Sequence, residues 1–423
     1  MLLLMTSVVI LVVLLVVIMN DTAMITNLIP KTQETVITTQ NIEADGKVEG
    51  ADLSAFMNDT SFFDAEKTTD VSEDENWQEL TQETDEGKEL SLFVTSVEKD
   101  LRIKVVDSAG NAVEGYSFVV TMDDTKQYED TDQDGVLYID GLKPGRYQLR
   151  LQEMDGFQVP QKALEARVKA VVSYTVIDDI SYLVHAESEV DVSVEDTSDN
   201  EIDEVDTDET QHTSLLDTNS IENAVALGID VSKWNGDIDW ELVKAEGIDF
   251  AIIRCGYRGS SSGWLIEDPY FYQNLVGAKK AGVKVGVYFF TQATNTVEAV
   301  EEASMVISLL GEEKLDYPVF IDTEGAGGNG RADRLDAITR TAVCDAFCRT
   351  IENAGLEAGI YASRNWYGVN LNVEELEKYN IWLAEYRHTP LYTQRYDMWQ
   401  YTSSGSVAGI DGRVDLNVSY LGY

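Results

Sequence analysis

Pro318-Val319-Phe320-Ile321 runs without a break into Asp322-Thr323-Glu324, and this stretch decides how the C-terminal half of the chain is read. An apolar run of this kind has the pattern of a buried strand. Side chains alternate faces along a strand, so Asp322 and Glu324 fall on one face with Cα atoms roughly 6.5–7 Å apart. Gly325-Ala326-Gly327-Gly328-Asn329-Gly330 then reads as a flexible loop. Carboxylates at the C-terminal tip of a buried parallel strand stand where α/β barrels carry their reacting groups. Paired carboxylates in one cleft are also the working parts of glycosidic bond hydrolysis. An exposed acidic turn after a core strand is the alternative reading of the same residues.

Outward from this strand, residues 224–423 alternate strand and helix. Leu227–Val231, Phe250–Cys255, Val283–Phe290, Val319–Asp322 and Ala358–Ala362 read as strands. Between them, helices are expected over Asp239–Glu246, from Asp268-Pro269 to Ala281, over Val297–Leu310 and over Asp333–Ala354. Asp268-Pro269 has the form of an N-cap followed by proline at the first helical position. Glycines 247, 282 and 355 each close a helix and precede a strand. Repeated βα units make a parallel barrel or sheet. Ile381–Ala384, Met398–Tyr401 and Val414–Leu416 are further strands without helices between them.

Upstream the chain changes character. It has 423 residues and a formal net charge of −45. From Leu227 onward there are 17 Lys+Arg against 28 Asp+Glu, a net of −11, which leaves −34 on the first 226 residues. Such a balance argues against nucleic acid as a partner. Residues 21–97 read as an acidic disordered stalk and residues 186–223 as an acidic linker, extended by like-charge repulsion. Residues 98–185 carry short alternating strands and turns that suit a small antiparallel sandwich. Leu2–Met19 is uncharged and overwhelmingly apolar. As a helix it is about 27 Å long, close to the roughly 30 Å hydrocarbon core of a bilayer. Residues 1–20 are therefore expected to be an uncleaved membrane anchor, in preference to a cleaved signal segment.

No metal or cofactor is expected. Cys255, Cys344 and Cys348 do not make a disulfide framework, and His185, His212 and His388 are too scattered for a zinc site. Asp130-Thr131-Asp132-Gln133-Asp134-Gly135 imitates the start of a calcium loop, but Gly141 stands where the bidentate glutamate belongs. A hairpin turn is the better reading.

Two resemblances sharpen this picture. Residues 98–185, through Asp134-Gly135 and Gly141-Leu142-Lys143-Pro144-Gly145-Arg146-Tyr147, resemble the SpaA/prealbumin-like modules of bacterial surface proteins. Leu227–Tyr423 resembles the glycoside hydrolase family 25 lysozymes, the N,O-diacetylmuramidases. The likeness rests on blocks in order: Gly228-Ile229-Asp230-Val231-Ser232 with Gly236-Asp237-Ile238-Asp239-Trp240; Gly286-Val287-Tyr288-Phe289-Phe290; Phe320-Ile321-Asp322-Thr323-Glu324; Gly359-Ile360-Tyr361; Trp382-Leu383-Ala384-Glu385-Tyr386; and Trp399-Gln400-Tyr401-Thr402, then Gly412-Arg413-Val414-Asp415.

The resemblance implies Glu324 as general acid/base and Asp322 as the group that orients the substrate N-acetyl function. Asp230 and Asp415 would shape the pocket, and Tyr288, Tyr361 and Trp382 would contact sugar. The expected fold class is α/β: a flattened (β/α)-barrel of five βα units and three further strands over residues 224–423, with the small all-β sandwich and an N-terminal transmembrane helix. The expected function is hydrolysis of the β-1,4 bond between N-acetylmuramic acid and N-acetylglucosamine in peptidoglycan. The protein is then extracytoplasmic, held to the membrane through residues 2–19 or secreted. A non-catalytic glycan-binding surface protein and a hydrolase of another amino sugar polymer, such as chitin, are the alternatives.

Overall fold

The computed structural model describes residues 88–187 and 224–423. The first region holds strands β1 (Lys88–Glu89), β2 (Ser91–Thr95), β3 (Leu101–Val106), β4 (Val119–Met122), β5 (Lys126–Glu129), β6 (Val136–Ile139), β7 (Gly145–Leu151), β8 (Phe157–Gln158) and β9 (Leu164–Val168). Sheets β2-β3-β6 and β5-β4-β7-β9 pair antiparallel throughout. In β7 the alternation is plain: Leu149 and Leu151 are buried while Gln148 and Arg150 are not. These leucines join Leu101, Ile103, Val105 and Val120 in one core.

The second region contains β11 (Ala226–Val231), α1 (Trp240–Ala245), β12 (Phe250–Arg258), β13 (Leu265–Glu267), α2 (Phe271–Ala281), β14 (Lys284–Phe290), α3 (Thr296–Leu310), β15 (Val319–Asp322) and α4 (Ala337–Asn353). It continues with β16 (Ala358–Ser363), α5 (Arg364–Val369), α6 (Val373–Leu376), β17 (Asn380–Ala384), β18 (Met398–Gly405) and β19 (Val414–Ser419). The order β12-β11-β19-β18-β17-β16-β15-β14 closes through a β12–β14 pairing into an eight-stranded barrel.

Two layers of packing follow from strand alternation. Phe250, Ile252, Tyr288, Phe320, Tyr361, Trp382 and Met398 fill the barrel interior. Ile229, Val231, Val285, Val287 and Ile321 face outward and pack with residues of the helices, such as Leu275, Val306 and Phe347. Gly228 and Gly359 sit on inner positions where a Cβ would collide with the rings of Phe250 and Phe320, so these aromatic fillers require glycine there. Caps set the helix starts: Asn295 accepts from the amides of Val297 and Glu298, and Asp336 from that of Thr339.

The structure corrects the expected fold class. The barrel is mixed and dominated by sheet, not a parallel (β/α)-barrel, with six α-helices among the described residues. β19 runs antiparallel to both β18 and β11. The physical reason is the connection: residues 406–413 are too few for the crossover that parallel neighbours need. The transmembrane helix is not supported either. No described helix is long and apolar enough to cross a membrane, and the residues for which it was expected, 2–19, lie outside the described part. Asp268 is also not a helix cap. Its carboxylate pairs with Arg254 at 2.7 Å, and α2 starts later, at Phe271.

The two regions are in contact. Val97, Ile177, Ile180 and Val184 of the first join the outer hydrophobic core of the second. Arg102 on β3 reaches one carboxylate oxygen of Glu301 on α3 at 2.6 Å, while the other oxygen of Glu301 takes Arg258 at 3.0 Å. After a 3-10 turn over Ser181–Leu183, β10 (Val184–His185) pairs parallel with β13, adding a strand to the barrel sheet.

Candidate active site

Asp322 is the last residue of β15, on the inner face two positions beyond Phe320. Its backbone stays in register: its carbonyl accepts from the Thr291 amide at 3.0 Å, and the Thr323 amide donates to the Tyr361 carbonyl at 3.1 Å. Thr323 turns to the other face, where Arg340 of α4 donates to its hydroxyl at 3.3 Å. These bonds hold the strand tip at Asp322 and Thr323 from both sides. Asp322 is buried and Glu324 partly exposed. The glycine-rich loop beyond them closes on Asp333, whose carboxylate accepts from the amides of Ala326 (2.8 Å) and Gly330 (2.9 Å).

Asp230 lies near the end of β11, directly opposite Asp415 near the start of β19. Antiparallel pairing brings these two ends to one rim. Asp230 Oδ2 accepts from Gln400 Nε2 at 2.9 Å and from Asn417 Nδ2 at 2.7 Å. Both amides are oriented by their other ends. Gln400 Oε1 accepts from the hydroxyls of Tyr361 (2.8 Å) and Tyr386 (3.0 Å), and Asn417 Oδ1 from Trp382 Nε1 (2.8 Å). Each NH2 is thereby aimed at Asp230.

Burial pushes the phenols of Tyr361 and Tyr386 well above the ordinary tyrosine value, and surrounding acidic groups add to the shift. The acids acting on Tyr361 are Glu324, Asp322 and Asp230; those acting on Tyr386 are Asp415, Glu324 and Asp230. The charge of each of the four acidic residues singled out in the sequence thus acts on one or both of these two phenols. The aromatic candidates lie deeper. Trp382 is 1% exposed, and Tyr288 and Tyr361 are 6% and 7% exposed. Trp382 meets Tyr288, Phe320 and Tyr361 edge-on.

Gln400, Asn417 and Tyr386 were not singled out by sequence reasoning. For Gln400 and Asn417 the available signal was a polar side chain inside an otherwise buried strand. Among the described residues, the carboxylates close enough to share an ion are Asp130, Asp132 and Asp134, within 4.8 Å of one another. Asp130 serves the turn, accepting from the amides of Gln133 and Gly135 at 2.9 and 3.0 Å.

Residues 229–410 match the glycosyl hydrolases family 25, and residues 99–180 match the prealbumin-like fold domain SpaA. The chain is 31% identical over 191 residues to an autolytic lysozyme of Clostridium acetobutylicum, covering 45% of this chain and 54% of that one. It is 28% identical over 200 residues to lysozyme M1 of Streptomyces globisporus, covering 45% of this chain and 66% of that one. The chain thus spans about half to two thirds of the length of these relatives. Among solved structures, the autolysin LytC of Streptococcus pneumoniae with a synthetic peptidoglycan ligand is 30% identical over 46% of each chain, with a TM-score of 0.40. A family 25 glycosyl hydrolase of Bacillus anthracis is 23% identical over 50% of this chain and 94% of that one, with a TM-score of 0.42.

Proposed function

We propose, from the premise that residues 229–410 are a glycosyl hydrolase family 25 domain, that this protein is a lysozyme-like hydrolase of peptidoglycan acting outside the cytoplasm on the cell wall. The bond cleaved is the β-1,4 link from N-acetylmuramic acid to N-acetylglucosamine. The reading rests on Asp322-Thr323-Glu324 at the end of β15, inside the matched span.

In this reading Glu324, the more exposed of the pair, protonates the leaving glycosidic oxygen. The substrate's own N-acetyl carbonyl oxygen attacks the anomeric carbon as that bond breaks, a recognised exception to the scheme with a carboxylate nucleophile. Asp322 holds the acetamido N–H and faces the positive charge of the oxazolinium ring. Glu324 then takes a proton from water, which opens the ring at the anomeric carbon and restores the acid. Two displacements retain the β configuration. Asp230, held by Gln400 and Asn417, and Asp415 shape the field of the pocket, while Tyr361, Tyr288 and Trp382 form its floor.

Turbidity loss of purified cell walls, run beside a chitin suspension, tests this reading. Clearing of walls alone is the expected result. Clearing of chitin alone assigns the site to another amino sugar polymer, and binding to walls without clearing assigns it to a glycan-binding surface protein.

A further inference from the structure

Trp234 is 50% exposed, and its position is not accidental. It lies in the 3-10 turn Lys233–Asn235 just beyond β11, four residues past Asp230. The neighbouring Asn235 donates to the Arg413 carbonyl at 3.3 Å, two residues before Asp415. The turn therefore bridges the two strand ends that carry Asp230 and Asp415, on the rim of the acidic site.

One face of the Trp234 ring carries the Lys233 ammonium, 4.7 Å from the ring centroid. That ammonium lies 5.4 Å from the Tyr257 centroid and pairs with Glu187. Glu187 also accepts from the Tyr257 hydroxyl at 3.2 Å. It does not come from the matched span 229–410 but from the segment that follows the β-module. This segment is anchored to the barrel by the β10–β13 pairing and by His185, whose ring stacks on Trp264 at 3.6 Å and 16°. A lysine side chain is long and flexible, and a carboxylate at its tip selects one placement. With a cation on one face, the Trp234 indole still keeps half its surface exposed, and an exposed indole is an apolar surface with a polar edge.

We propose that Trp234 is a sugar-stacking platform at the edge of the acidic site, and that Glu187, through Lys233, is a positioning residue for it. This rests on the reading of the barrel as a glycan-processing site. The ligand class is an amino sugar polymer passing across the Asp230–Asp415 rim, and the segment that follows the β-module is then part of the cleft.

The test measures binding and turnover separately, on the full chain. Uncrosslinked, soluble peptidoglycan glycan strands are titrated into the Glu324→Gln protein by calorimetry, and KM and kcat are taken from the otherwise wild-type chain. Trp234→Ala is expected to weaken binding and raise KM about tenfold. Glu187→Gln is expected to raise KM about threefold with kcat changed less than twofold, and Glu187→Asp to restore part of the loss. Lys233→Met reports the same link should Glu187→Gln fail to fold. Unchanged binding in Trp234→Ala, or no binding by the parent, overturns the proposal. Weakened binding in Trp234→Ala with KM unmoved in both Glu187→Gln and Lys233→Met overturns the positioning role. A parent that binds strands through Trp234 but does not cleave them removes the hydrolase reading and leaves this one standing.

Discussion

Asp230 and Asp415 are direct cross-strand partners in the antiparallel β11–β19 ladder. Like charges placed opposite each other are destabilising, and Asp230 is only 7% exposed. The arrangement holds because Gln400 and Asn417 both donate to Asp230 and because neither amide can turn away from it. Asn417→Leu removes one donor and leaves both Asp230 and the Trp382 indole N–H short of a partner. The expected cost is about 1–3 kcal/mol of stability, read by denaturant melts, with a fall in wall-lytic activity. A variant as stable and active as its parent would refute the role given to this network.

The chemical step is tested at the strand tip. Glu324→Gln keeps size but cannot act as an acid, and activity is expected to fall roughly 10²–10⁴-fold. Asp322→Asn is expected to be severely impaired with an unchanged melting profile. The newly formed reducing end, followed by proton NMR during the first minutes, should be the β anomer. An α product would exclude N-acetyl participation.

The β-module is held by charge as well as by apolar contact. Arg102 and Glu301 are 4% and 6% exposed at the side chain. Removing one partner of a buried pair is costly, so Arg102→Met is expected to lose about 3 kcal/mol. Because Arg102 also pairs with Asp100 and Glu301 with Arg258, the double variant Arg102→Met, Glu301→Leu should lose less than the sum of the two single losses. Additive losses in the double variant would show that the pair is not coupled.

Glu267 at the end of β13 gives a pH dependence of defined sign. Burial, with Asp268 beside it, raises its carboxyl from 4.5 to about 7. The folded state then holds this proton more tightly than the unfolded chain, so stability is full below about pH 4.5 and is lost as pH rises through about 7. Glu267→Gln removes the penalty. It is expected to stabilise the protein at pH 8 by about 1–3 kcal/mol and by little at pH 4.5. Equal effects at both pH values would contradict the assignment.

Much of this was legible in the chain. The apolar run 318–321 marked β15 and the burial of its last residue, Asp322. Glycines after helices and before strands marked the repeated units. Other features were hidden because they depend on pairing across long sequence separations. Nothing local to Val414–Ser419 says that it runs against its neighbours; the short return from β18 decides that. Gln400 and Asn417 look like ordinary polar residues until the barrel closes and turns both toward Asp230. Asp268-Pro269 carried every local mark of a helix start, yet its carboxylate is shared between Arg254 and the Tyr270 amide, and the turn it closes precedes α2. Residues 98–185 read as a small sandwich of their own, and nothing in their sequence signals that Arg102, Ile177 and Val184 pack onto the barrel.

That last contact has a consequence for how the protein responds to a protease. A protease that cuts the chain anywhere between residues 188 and 223 severs the covalent path from module to barrel. It does not touch the Arg102–Glu301 bridge, the β10–β13 pairing or the His185–Trp264 stack. The nicked protein is expected to migrate as two fragments under denaturing conditions and as one particle under native ones.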